Sequence, residues 1–242
     1  MAIKDWSSEK NNHAIRYDDA AFSGPSLDYF DPNYWQSENK ITGKAQGRGT
    51  TYFIAHESQH WVLRHYRRGG LIGKLLTDEY VYGGLEKTRA FAEFTLLTRM
   101  RESGLPVPEP VAAHISRHGL FYRADLITAL IPNSQDLHHT LCNEALDTAV
   151  WEEVGKTIAR LHQAQVYHHD LNIHNIMQDN NGKIWVIDFD RCAIRNGDSW
   201  KQEMLDRLHR SLEKECGRCE VFHFSADNWQ QLMQGYQRQI SA

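Results

Sequence analysis

Tyr167-His168-His169-Asp170-Leu171-Asn172-Ile173-His174-Asn175-Ile176-Met177, then Asp179-Asn180-Asn181-Gly182, then Ile184-Trp185-Val186-Ile187-Asp188-Phe189-Asp190 is the stretch that decides the fold. Two apolar runs flank a polar turn, the pattern of two antiparallel strands closed about Asn180 and Asn181. Folding them brings Asn175 and Asp188 to the same end, with Asp170 on the loop just before. Carboxylate and amide oxygens suit magnesium. Asn175 and Asp188 are therefore the expected metal ligands. Asp170 is then free to take the proton of an attacking hydroxyl while the metal neutralises charge on a transferring phosphoryl group.

Upstream of this stretch, Val150, Val154, Ile158 and Leu161 recur at helical spacing and predict a long buried helix. Ile131-Pro132-Asn133-Ser134 reads as a connector, and residues 120–130 read as two short strands after the prolines at 106, 108 and 110. Residues 88–101 predict a helix with Ala90, Leu96, Leu97 and Met100 on one face. Glu93 lies on that apolar face, and a carboxylate there is costly unless a cation meets it, so a buried basic partner is expected. Residues 40–66 alternate glycine-rich turns, with Gly43, Gly47 and Gly49, and runs such as Thr51-Tyr52-Phe53-Ile54 and Trp61-Val62-Leu63, which predict antiparallel strands opening a sheet-based lobe.

The 242 residues suffice for one substantial core, divisible into two lobes, and contain no repeat or low-complexity tract. A net charge of −4 gives no strongly basic surface, so nucleic acid is not an expected partner. No apolar run is long enough to span a bilayer and the first ten residues lack the apolar core of a signal peptide, which points to the cytoplasm. Of the four cysteines, only Cys216 and Cys219 form a C-x-x-C pair. A zinc site needs a second pair or a histidine pair at ligand spacing, and neither Cys142 nor Cys192 has such a neighbour, so the cysteines are expected to be unbridged structural residues.

H-x-D-x-x-x-x-N over residues 168–175, followed by a strand and Asp188-Phe189, resembles the catalytic and metal loops of the protein-kinase superfamily. The order of the chain agrees: glycine-rich segment, strand Val62-Leu63-Arg64, helix bearing Glu93, connector, then both loops. The resemblance implies an α+β, bilobal protein-kinase-like fold. It would be one domain over residues 1–242, with an antiparallel β-sheet N-lobe over about 1–131 and a compact helical C-lobe over about 132–242. It implies ATP as phosphoryl donor with Mg2+, nucleotide contacts at Gly43, Gly47, Gly49, Arg64 and Glu93, and adenine held by backbone groups near Ala129 and Ile131. Gln135 or Asp136 would lie close to the ribose. Arg64 stands where the superfamily usually has lysine. Its always-charged fork can grip phosphate or Glu93, with Lys44 and Lys74 as rivals for the phosphate. His169 replaces the usual arginine, and little chain separates Asp190 from the next helix, near Trp200, so phosphorylation control and a peptide-docking platform are not expected. Asp190 stands at the usual glycine, where it would contact metal, brace the catalytic loop or cap the following turn.

A narrower resemblance runs over most of the chain. Arg64-His65-Tyr66-Arg67-Arg68-Gly69-Gly70, Arg89-Ala90-Phe91-Ala92-Glu93-Phe94, Ala124-Asp125-Leu126, residues 169–176, Asp188-Phe189-Asp190-Arg191 and Arg207-Leu208-His209-Arg210-Ser211 resemble the 3-deoxy-D-manno-octulosonic acid (Kdo) kinases. That family phosphorylates the 4-hydroxyl of Kdo on the lipid A precursor, at the cytoplasmic face of the inner membrane, during lipopolysaccharide core synthesis. Arg67, Arg68, Lys74 and Arg191 form an anion-binding set suited to a carboxylate and lipid phosphates, or are solvated surface charges. Leu71, Ile72, Leu75 and Leu76 beside them read as a strip for peripheral contact with an anionic membrane, or as core.

Within the fold, a lipopolysaccharide heptose kinase and an aminoglycoside-like phosphotransferase are the competing assignments. From another class, His168-His169-Asp170, completed by His162 and His174, is the ligand pattern of a metal-dependent HD-type phosphohydrolase.

Overall fold

The computed structural model describes every residue except Glu9, Asn11, Ser23, Gly47, Arg48 and residues 69–77. The chain is α+β and forms two compact units, Met1–Thr98 with Glu109–Leu130, and Arg99–Pro108 with Ile131–Ala242.

The first unit is built on one antiparallel sheet. Its strands are β1 (Ile3–Ser7), β2 (His13–Asp18), β3 (Ile41–Gln46), β4 (Thr50–His56), β5 (Gln59–His65), β6 (Tyr80–Val81), β7 (Pro110–His118) and β8 (Phe121–Ala129). The order is β1-β2-β7-β8-β5-β4-β3, with β6 pairing on β8. Helix α1 (Pro32–Ser37) and helix α2 (Arg89–Glu102) complete the elements that begin in this part of the chain.

The expected strands over residues 40–66 are β3, β4 and β5, but the sheet begins much earlier, at Ile3. Residues 120–130, read as two short strands, are the single nine-residue β8, and β7 had no counterpart in the reading. β8 pairs with β7 on one side and β5 on the other, and four of its central residues, Ala124 to Ile127, are all buried. Burial on both faces abolishes the alternation by which a half-exposed strand is recognised.

On one face of the sheet, Trp61 and Leu63 of β5 pack with Ile54, Ile127, Ile15 and Tyr17. The segment between β2 and β3 covers them with Phe22, Phe30 and Trp35. Trp35 stands edge-on to Trp61 at 6.0 Å, and its indole N–H donates to the Tyr29 carbonyl at 2.8 Å, so the bulkiest ring is buried with its one donor satisfied.

The second unit contains β9 (Ser134–Asp136), α3 (Leu137–Asn143), α4 (Thr148–Gln163), β10 (Val166–Tyr167), β11 (Ile176–Asp179), β12 (Ile184–Val186), β13 (Ala193–Ile194), α5 (Lys201–Cys216) and α6 (Ala226–Ile240). Val154, Ile158 and Leu161 of α4 are buried as their spacing predicts. Val150, in the first turn, is only partly buried, and Trp151 takes the core position instead. α6 starts on a capping box, in which the Asn228 amide N–H donates to Ser225 Oγ and the Ser225 amide N–H to Asn228 Oδ1.

His162 in α4 is fully buried, with Nδ1 2.9 Å from the Tyr236 hydroxyl and the edge of Trp200 against its ring. Burial, and secondarily the charge of Lys201, lowers its pKa from 6.5 to about 4. The unfolded chain therefore binds a proton that the folded chain refuses between those values, and stability falls as pH drops through that window. A loss on the order of 3 kcal/mol is expected from this residue. Urea unfolding at pH 7 and pH 4 should show that loss shrinking by about this amount in His162→Phe; equal losses in both proteins would refute it.

Candidate active site

In the second unit, β10 leads into a loop whose side chains alternate between anchor and exposed carboxylate. Leu171 and Ile173 are fully buried, whereas Asp170 between them and the strand is exposed. The Asp170 carbonyl accepts both the Asn172 and the Asn175 side-chain N–H groups, each at 2.9 Å. Asn172 Oδ1 in turn accepts the His174 amide at 3.0 Å, capping the short helical turn Ile173–Asn175. The loop backbone is therefore held without using the Asp170 carboxylate. Binding Asn175 through Nδ2 directs its Oδ1 away from that carbonyl, as an oxygen ligand would be presented.

β11 and β12 form the expected hairpin, with Ile176 opposite Val186. The Ile187 amide donates to the Asn175 carbonyl at 3.0 Å. Asp188 follows directly, exposed and in the left-handed region at φ 62°, between Ile187 and the buried Phe189. A non-glycine residue there is uncommon, aspartate being among the types that tolerate it.

His168 joins the two loops. It is 0% exposed, its Nε2–H donates to the Ile187 carbonyl at 3.0 Å, and its Nδ1 accepts the Asp170 amide at 3.3 Å. Burial lowers its pKa, against the opposing pull of the Ile187 carbonyl and the Asp188 and Asp170 carboxylates, so the ring is the neutral Nε2–H tautomer. Both nitrogens serve the backbone, leaving neither for a metal. His162 contacts Tyr236, and His174 lies near Glu215, so the histidine set of the phosphohydrolase reading does not assemble.

Two further side chains brace this loop. Arg207 of α5 donates to the His168 and His169 carbonyls, and Ser211 Oγ accepts the Ile173 amide at 3.1 Å. In the sequence both stand out only through the likeness of residues 207–211 to a family string. Their separation of four along a helix is the sole local signal, and it says nothing about which loop they meet.

In the first unit, Arg64 Nη2 donates to Glu93 Oε1 at 2.6 Å, and the Tyr66 hydroxyl donates to Glu93 Oε2 at 2.6 Å. Glu93 is 4% exposed and Arg64 26% exposed, so the basic partner expected for the inward carboxylate is Arg64. Tyr66, which stacks beneath the guanidinium at 4.9 Å, was missed because a tyrosine at a strand end reads as ordinary core.

Among the other candidates, Gly43 lies inside β3 at a bulge, close to Phe53, and not in a turn. Gly49 precedes β4, and a side chain there would meet Arg67 Cδ at 2.9 Å. The Ala129 amide donates to the Glu109 carbonyl, so this residue cannot also offer its N–H to an adenine. The Ile131 carbonyl accepts the Ser134 hydroxyl. Gln135 donates to Asp136, whose other oxygen caps α3 through the His139 amide. Lys44 lies over the Tyr52 ring, Arg68 donates to the Glu79 carbonyl, and Arg67 and Arg191 are exposed. Gly47, Gly69, Gly70, Leu71, Ile72, Lys74, Leu75 and Leu76 lie outside the described residues. A cavity of about 230 Å³ is lined by Leu63, His65, Arg67 and Asp125 among others. By strand alternation Leu63 and His65 face the side of the sheet opposite Arg64, so this cavity is separate from the Arg64–Glu93 pair.

The family described as lipopolysaccharide kinase (Kdo/WaaP) matches residues 32–236. The chain is 48% identical to a 3-deoxy-D-manno-octulosonic acid kinase of Vibrio vulnificus strain YJ016, over 93% of this chain and 95% of that one. It is 49% identical to the protein of that name from Mannheimia succiniciproducens, over 86% and 90% of the two chains. With the one from Haemophilus influenzae strain PittEE, identity is 45% over 87% and 90%.

Proposed function

We propose, since this chain belongs to the lipopolysaccharide kinase (Kdo/WaaP) family, that it transfers the γ-phosphoryl group of ATP to the 4-hydroxyl of a Kdo residue on a lipid A precursor. The observation that carries the reading is the loop from His168 to Asn175, which presents an exposed carboxylate at Asp170 while its backbone is tied to Asn175 and Ile187. Asp170 takes the proton as the sugar oxygen bonds to phosphorus and the bond to the ADP oxygen breaks. Asn175 and Asp188 offer one amide and one carboxylate oxygen, a donor set that fits Mg2+, which when bound neutralises charge on the phosphate oxygens. His168 keeps the two loops in register.

Arg64, oriented by Glu93, holds the nucleotide phosphates. Arg64→Ala should weaken MgATP binding at least tenfold and cost about 3 kcal/mol of stability by stranding the buried Glu93. Arg64→Lys should recover most of the stability and part of the affinity. Unchanged ATP affinity and turnover in a folded Arg64→Ala protein would remove Arg64 from the site.

Arg67, Arg68 and Arg191 supply cations for the substrate's carboxylate and phosphates. A lipid substrate places the enzyme at the cytoplasmic face of an anionic membrane, and no described helix is long and apolar enough to cross one. Flotation with anionic liposomes at low salt should carry the protein upward, and its failure would count against peripheral attachment.

The deciding experiment is to incubate purified protein with MgATP and Kdo-bearing lipid A precursor and weigh the product. Addition of one phosphate to the Kdo portion is expected. No product with this lipid, but phosphorylation of a heptose-bearing acceptor, would overturn the substrate assignment.

A further inference from the structure

Outside the catalytic loop, the second unit gathers sulfur and nitrogen donors that the kinase reaction does not use. Cys142 Sγ lies 3.5 Å from Cys219 Sγ. His138 Nε2 lies 3.8 Å from the first and 3.7 Å from the second. The same nitrogen is 3.4 Å from Glu215 Oε2, a carboxylate only 9% exposed.

We propose that His138, Cys142 and Cys219 bind a zinc(II) ion, with the fourth position beside Glu215 filled by that carboxylate or by water. A tetrahedral zinc with bonds of about 2.3 Å to sulfur and about 2.05 Å to nitrogen has edges of about 3.8 Å between sulfurs and about 3.6 Å between sulfur and nitrogen. The three observed separations fall within about 0.3 Å of those edges. They are too long for a disulfide, whose sulfurs stand about 2.05 Å apart. They are also more than a chance pair of partly buried thiols requires, because the imidazole nitrogen is nearly equidistant from both. Two thiolates and an imidazole are a borderline-soft set that favours zinc over magnesium or calcium.

The placement follows from local structure. His138 and Cys142 are four apart on α3 and share a face. Cys219 is brought up by a tight turn after α5, where the Arg218 and Cys219 amides both donate to the Glu215 carbonyl. All four cysteines are unbridged, as expected, and a zinc ion at Cys142 and Cys219 would give those two a further role. The C-x-x-C pair divides, with Cys216 exposed and Cys219 turned toward Cys142.

Zinc entry forms two Zn–S bonds and releases one proton per thiol to solvent, which makes affinity rise with pH. A bound ion would fasten α3 to the end of α5. It would also steady His174, which stacks on His138 at 4.1 Å and immediately precedes Asn175. The site stands whether or not the sugar substrate is the one proposed above.

The test uses the whole chain, purified under reducing conditions without chelator. About one zinc per chain is expected by elemental analysis, and Co2+ replacement should give thiolate-to-cobalt charge-transfer absorption with tetrahedral ligand-field bands. Zinc should protect Cys142 and Cys219 from N-ethylmaleimide while Cys216 still reacts, and a strong chelator should abolish the protection. Cys142→Ser, Cys219→Ser and His138→Gln should each weaken zinc binding by roughly a hundredfold or more, and Cys216→Ser should not. If a thiol variant fails to fold, the cobalt spectrum and the labelling of the unmodified chain still decide. Absence of charge transfer in folded protein, its persistence in the Cys142→Ser/Cys219→Ser double variant, or a Cys142–Cys219 disulfide in the protein as purified would each overturn the proposal.

Discussion

Asp170→Ala is expected to lower phosphoryl transfer by about a hundred- to ten-thousand-fold while nucleotide affinity stays within about twofold of the unmodified protein. The separation follows from how the loop is built. The Asp170 backbone carbonyl, not its carboxylate, accepts the Asn172 and Asn175 side chains, and its amide meets His168. Leu171 and Ile173 anchor the loop from below, and Arg207 and Ser211 brace it. None of these contacts is lost with the carboxylate, so the variant should melt within a degree or two of the original. Single-turnover rates at saturating MgATP, set beside a fluorescent-nucleotide titration, read the two effects separately. A rate within fivefold of normal would mean that another group takes the proton. Asp170→Asn, of equal size, should be as slow as alanine, because an amide cannot accept it.

Gly155→Ala, a single added methyl group, should destabilise the protein by about 3 kcal/mol. A side-chain carbon at Gly155 of α4 would lie 1.9 Å from the Leu232 carbonyl oxygen and 2.7 Å from the Tyr236 nitrogen of α6. At Gly235 it would lie 2.0 Å from the Glu152 carbonyl oxygen. The obstructing atoms are backbone on a facing helix, so no rotamer change relieves them and the helices must separate. Trp151 and Ile158 of α4 and Leu232 of α6 are fully buried, so the separation disturbs core positions on both helices. Alanine's advantage in helix propensity, about 1 kcal/mol, has the opposite sign and is too small to compensate. Urea unfolding measures the net, and a loss below about 1 kcal/mol would show that the helices can yield without penalty. The double variant Gly155→Ala/Gly235→Ala should cost less than the sum of the singles, since helices already forced apart accommodate the second methyl.

These two predictions differ in how legible their basis was. The role of Asp170 was inferred from a stretch of about twenty residues, because a two-residue register and a hairpin turn suffice to place Asn175 beside Ile187. The inward carboxylate of Glu93 was likewise visible from its position on an apolar helical face, and its partner Arg64 lies on an adjacent strand. Gly155 and Gly235 carried no such mark. They lie 80 positions apart, and each alone reads only as a weak helix residue. The same holds for Arg207 and Ser211 under the catalytic loop. It also holds for the N-terminal strands and α1, whose sheet-covering aromatics have no common period.

From the amino-acid order alone came the α+β class, the kinase-like succession of elements, the hairpin and the candidate catalytic carboxylate. The strands, helices and hairpin are properties of neighbours within a turn or two of chain, where side-chain period and turn chemistry act directly on local backbone geometry, whereas the kinase-like order of elements rests on resemblance to a family. Tertiary structure alone decided that β8 is one central strand, that the C-x-x-C pair divides, and that α4 and α6 touch through their glycines. Those outcomes depend on which surfaces meet across long stretches of chain. Close packing selects the meeting by volume and shape, quantities that no local spacing encodes.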